Sequence, residues 1–174
     1  MKDKGSKLMC NDIYRPLTKE EKKVVSKHIA SFGYDTFIHI QMPFNKRISG
    51  FNMEMKAVNQ LHDLLQLFFK LCCGKNWFKH ILYFHSSTEI GRDLNCHYHI
   101  LMKSDQFNSF DKIKQCFQHL SEIKHYDPYV IKVEPVYEIN GAADYMVKQD
   151  SDESDSIIIN AAEILFDVPT REIN

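Results

Sequence analysis

Two histidines one residue apart, His97 and His99, stand in the run Cys96-His97-Tyr98-His99-Ile100-Leu101-Met102. On a β-strand alternate side chains leave opposite faces, so His97, His99 and Leu101 share one face and Cys96, Tyr98, Ile100 and Met102 the other. The two imidazoles then start about 7 Å apart at the backbone and can converge on one metal ion through their ring nitrogens. An exposed strand face that merely carries histidines has the same local pattern. Partners elsewhere in the chain decide between the two.

Upstream, His80 to Glu89 is an apolar and aromatic run suited to a strand, and Ile90-Gly91-Arg92-Asp93-Leu94-Asn95 supplies turn-forming residues between the two strands. In a hairpin register with Glu89 opposite His97, Ser87 falls opposite His99, and all four side chains lie on one face. A carboxylate then joins two imidazoles, a donor set for a divalent cation that must also accept substrate oxygens. Downstream, Glu138 to Gln149 has Ile139, Ala142, Ala143, Met146 and Val147 at helical spacing, with Tyr145 and Lys148 on the other, polar side. A tyrosine outside the apolar stripe and three residues from a lysine suits phenolate stabilisation or phosphate contact; a solvated Tyr–Lys pair has the same spacing.

The order Glu89, seven residues, His97 and His99 on a strand, an amphipathic helix, a further strand, then Tyr145 and Lys148 on a helix resembles that of the HUH endonucleases. Within them it is most similar to the single-tyrosine initiators of rolling-circle replication, over residues 36 to about 149. The resemblance implies that Glu89, His97 and His99 hold Mg²⁺ or Mn²⁺, that Tyr145 attacks a DNA phosphate, and that Lys148 assists it. The product would be a 5′-phosphotyrosine and a free 3′-hydroxyl on single-stranded DNA or an origin hairpin. The strand Thr36 to Met42 would be the family's first motif, beside metal and DNA, although the common versions end in polar Thr or Asn. Its His39 and Gln41, which share a face with Phe37, are candidates for substrate contact, with plain sheet packing as the alternative. Single-tyrosine transposases of small insertion sequences are a near neighbour, because they place a metal-ligating Gln four residues after the tyrosine, where this chain has Gln149. Glu89 and Lys148 favour an initiator.

At 174 residues with 44% hydrophobic residues and only 6 Gly and 5 Pro, the chain is long and apolar enough for one ordered domain. There is no run of about 18 apolar residues and no apolar signal core near Met1, so a soluble intracellular protein is expected, cytoplasmic in a bacterium or nuclear if viral, with no membrane partner. Five cysteines without a Cys-x-x-Cys pair argue against a disulfide framework and a common zinc module. Formal net charge is −1, but residues 1 to 148 carry 21 Lys and Arg against 16 Asp and Glu. The body is therefore basic and the tail acidic, which is compatible with a nucleic-acid surface.

These residues need a scaffold, and the periodicity predicts an α+β fold with a central antiparallel sheet flanked by helices. Residues 1–35 read as an N-terminal helical extension, with a capping box at Thr18 and Glu21, an inner face of Val24, Val25, His28, Ile29 and Phe32, and Gly33 as the stop. Residues 36–149 hold the nuclease-like unit. Its first loop sets Lys46 and Arg47 beside Phe51, which suits phosphate contact and base stacking. A long helix is expected from Glu54 to Cys73, and a second after the N-cap residues Ser104 and Asp105, with Phe107, Phe110, Ile113, Phe117 and Leu120 on its apolar side. The strand around Tyr129 to Tyr137 is interrupted by Pro135 and should lie at an edge. Residues 150–174 begin with an acidic linker and end in one more packed element. No Gly-x-x-x-x-Gly-Lys pattern is present, so strand opening and synthesis would fall to a separate helicase and polymerase. A metal-free module whose sheet presents Tyr, Phe and His to single strands is the reading from another class.

Overall fold

The computed structural model describes residues 18–43, 53–79, 83–90, 94–126, 130–147 and 157–161, the last of these by backbone alone. Lys46, Arg47, Phe51, Lys148 and Gln149 lie outside the described residues. The architecture is α+β, a five-stranded antiparallel sheet with helices on both faces. In chain order the elements are α1 (Lys19–Ser31), β1 (Thr36–Gln41), α2 (Met53–Cys73), β2 (Phe84–Ile90), β3 (Cys96–Met102), α3 (Phe110–Lys124), β4 (Ile131–Pro135), α4 (Ile139–Met146) and β5 (Ile157–Ala161). The strand order is β4-β1-β3-β2-β5. β4 is an edge strand, where a proline leaves no ladder bond unmade inside the sheet. Among the described residues no helix is long and apolar enough to cross a membrane.

One sheet face carries the larger core. Ile38 and Ile40 of β1 and Tyr98 and Ile100 of β3 pack under α2 and α3, whose Leu61, Leu65, Phe68 and Phe117 are almost fully buried. Phe68 stacks on Phe117 with centroids 4.2 Å apart. Gly74, at φ +73°, ends α2 in the left-handed region. Tyr98 is buried whole on this face, and its hydroxyl lies 3.0 Å from the Ala57 carbonyl oxygen and 2.6 Å from Gln60 Oε1 of α2.

The opposite face is half covered. α1 and α4 pack together over one end of it, where Ile29, Ala143, Met146 and Val147 cluster with Leu101 and Tyr34. Thr18 caps α1 as expected, its Oγ1 accepting from Glu21 N at 3.2 Å while its own N–H donates to Glu21 Oε2 at 2.8 Å. The inward stripe of α1 differs from the expected one. Ser26 is buried and hydrogen-bonds Asp144 of α4, which turns Val24, two residues or about 200° away, outward to 68% exposure. His28 is exposed and meets Phe32 edge-on, with centroids 5.0 Å apart.

α3 also begins later than its periodicity suggests. Ser104–Phe107 is a separate 3-10 turn, Asn108 breaks it at φ 73°, and Ser109 is the N-cap, accepting from Lys112 N at 3.1 Å. Phe107 remains buried in the core from the turn.

Candidate active site

Pairing between β2 and β3 sets Glu89 opposite His97 and Ser87 opposite His99, the register anticipated from the hairpin. β1 lies on the other side of β3 and sets His39 opposite His99 and Gln41 opposite His97. β4 in turn sets Lys132 opposite His39 and Glu134 opposite Phe37. Side chains at paired positions share a face, so two neighbouring rows form on it, Glu89, His97 and Gln41 in one and Ser87, His99, His39 and Lys132 across four strands in the next. The second row lies next to Leu101, which α1 and α4 cover.

His99 is the buried centre of the second row. Its Nδ1 lies 3.2 Å from His39 Nδ1, and its Nε2 is 3.8 Å from Glu89 Oε2. The first contact requires one ring to donate from Nδ1 and the other to accept. His97 is half-buried, with its ring centroid 5.9 Å from that of His39. Burial holds the His39 imidazole down at about 4, helped by the neighbouring His99, His97 and Lys132, so His39 is neutral at pH 7. Gln41 is exposed at the end of β1.

Tyr145 reaches the second row from α4. Its ring stands 5.0 Å from that of His99 and 5.9 Å from that of Phe37, edge-on to both, and the residue is 46% exposed. The apolar stripe of α4 is as expected, with Ala143 and Met146 buried and Ile139 and Ala142 half-buried. The tyrosine thus sits at the border of the stripe, turned toward the histidines. Glu138 starts this helix by accepting from Asn140 N at 2.9 Å and from Gly141 N, and these two N–H groups hold its carboxyl below the usual carboxylate range.

The donor types suit a divalent ion. The 3.8 Å between Glu89 Oε2 and His99 Nε2 can be bridged by one ion with ligands about 2.0–2.2 Å away. Among the described residues, however, no third His, Cys, Asp or Glu closes on a common point. The structure thus brings Glu89, His97 and His99 onto one sheet face and sets Glu89 and His99 at bridging distance. The contact of His39 with His99 was not legible beforehand, because it depends on β1 lying beside β3. Lys132 was also missed, although the alternation Ile131, Lys132, Val133, Glu134 signals that it shares a face with Glu134.

Fold and site together define an α+β protein with histidines and a carboxylate on one sheet face beside a helix-borne tyrosine. No protein-family model, curated protein or solved structure matches the chain.

Proposed function

We propose that the chain is a metal-dependent nicking and joining enzyme for single-stranded DNA, with Tyr145 as nucleophile. The observation that carries this is the 5.0 Å approach of the Tyr145 ring to His99, which itself meets His39 and lies 3.8 Å from Glu89. Glu89, His97 and His99 would hold Mg²⁺ or Mn²⁺, whose chemistry when bound is charge neutralisation and polarisation at a phosphate. Tyr145 supplies the oxygen that bonds to phosphorus. The bond from phosphorus to the 3′ oxygen breaks, the phenolic proton leaves to solvent or a base, and the 3′ oxygen takes up a proton. Because one phosphoester replaces another, the free 3′-hydroxyl can attack the phosphotyrosine and rejoin the strand. A phenol with a reference pKa of ~10 needs cationic neighbours to react at neutral pH; Lys148, three residues past Tyr145, is proposed as one, and Lys132, paired with His39 on β4, as another.

Origin nicking at the start of rolling-circle replication is the role we assign, from the motif order and from Glu89 ahead of the histidines. Helicase and polymerase would then be partners supplied separately. A second reading, a metal-free single-strand binder, is favoured by one observation: His39 and His99 turn their Nδ1 atoms toward each other.

A 3′-labelled pool of random single strands, incubated with the protein and Mn²⁺, separates the two readings on a denaturing gel. Nicking leaves label attached to protein through Tyr145. Tyr145→Phe should abolish the adduct while DNA affinity persists, and His97→Ala with His99→Ala should abolish it even at high Mn²⁺. An adduct retained by Tyr145→Phe would refute the assignment of the nucleophile. Binding with no adduct from the native chain on any strand would leave the binder.

A further inference from the structure

Against Tyr145, between the end of β4 and α4, lies an open pocket of about 320 Å³. Its walls include Phe37, Val136, Tyr137 and Tyr145, and Glu134 and Glu138 stand in its lining. The volume is at the lower end of the ~300–1,000 Å³ of small-ligand sites. Tyr137 is 93% exposed, so its ring does no packing work in the core.

The chemistry of this pocket suits a flat π system and repels a phosphate. Aromatic and apolar walls offer stacking surface, which accepts any base, while two carboxylates disfavour an anion and accept hydrogen bonds from amino groups. Glu138 has both oxygens on the backbone of α4, which points to Glu134 as the reader. The charge order along β4 supports this. Lys132 faces His39, and two residues on, roughly 7 Å along the strand, Glu134 faces Phe37. A strand laid across Tyr145 would put a phosphate over the cationic end and a base over the acidic one.

We propose that this pocket holds one unstacked base of the bound strand, a cytosine or adenine whose exocyclic amine donates to Glu134, beside the linkage that Tyr145 attacks. The proposal rests on the nicking reading of the site and adds base selectivity to it.

Fluorescence anisotropy with labelled oligo(dC), oligo(dA) and oligo(dT) of equal length tests it, because thymine lacks an exocyclic amine. The native chain should bind oligo(dC) or oligo(dA) about fivefold or more tighter than oligo(dT). Glu134→Gln should remove that preference, since an amide presents donors as well as an acceptor. Tyr137→Ala should weaken all three by roughly tenfold through lost stacking. Both side chains are exposed, so neither substitution threatens the fold. If the native chain forms the covalent adduct but shows no base preference, or the variants bind as it does, the base pocket is refuted and nicking stands. If the native chain neither binds these strands nor forms an adduct, the nicking reading falls and the pocket with it.

Discussion

Acidification should destabilise this fold through one buried imidazole outside the site. His85, on β2 opposite Leu101, is 6% exposed, and among the described residues its Nε2 has no hydrogen-bond partner. Burial, with a smaller contribution from the charge of His28, lowers its pKa from 6.5 to about 4. Between those values the unfolded chain binds a proton that the folded chain refuses, so stability is complete above pH 6.5 and falls as the pH drops toward 4. At ~1.4 kcal/mol per pKa unit the loss is roughly 3 kcal/mol, which for a chain of this size is a drop of about 6–12 °C in Tm. The assay is urea unfolding at pH 7.5 and 4.5 for the native chain and for His85→Leu. Leucine removes the titrating group and a buried polar atom, so the variant should be at least as stable at pH 7.5 and should lose roughly 3 kcal/mol less on acidification. Equal losses in the two proteins would refute the assignment. His39, also held near 4 by burial, acts in the same direction but is present in both proteins, so the comparison cancels it.

Ser26→Ala should destabilise by about 1–2 kcal/mol in urea unfolding, because it removes the bond to Asp144 between α1 and α4. Gly33→Ala should lose roughly 1–2 kcal/mol from backbone strain alone: φ is +63° and nothing lies within 4 Å of an added Cβ. Gly33→Asn should lose less. Affinity for a single strand should fall with salt, and Lys132→Ala should reduce the slope of log affinity against log salt by roughly 0.7; an unchanged slope would take Lys132 off the phosphate path.

What could be foreseen was what is local along the chain. The hairpin register of Glu89 with His97 follows from period-two alternation in two strands that succeed one another along the chain, the Thr18 cap from a side chain reaching three residues, and the edge position of β4 from Pro135 lacking an N–H. What escaped depends on non-local placement. Whether β1 or another strand borders β3 is not written in either segment, so the His39 contact with His99 had no local signal. Val24 and Ser26 compete for the same inward side of α1, and hydropathy chooses valine; the carboxylate of Asp144, 118 residues later, chooses serine. Likewise the sequence reads Ser104 and Asp105 as the caps, whereas Asn108 in a positive-φ conformation delays α3 and leaves Ser109 to cap it.

The seat of α4 has a bearing on how the chain can be cut. The tyrosine-bearing helix is only eight residues long, too short to hold its shape unaided, and much of what steadies it comes from α1, through Ile29 and the Ser26 hydroxyl. A fragment starting at Thr36 would preserve every sheet histidine and yet leave the phenol without a fixed bearing. α1 is thus the rest on which the phenol is aimed.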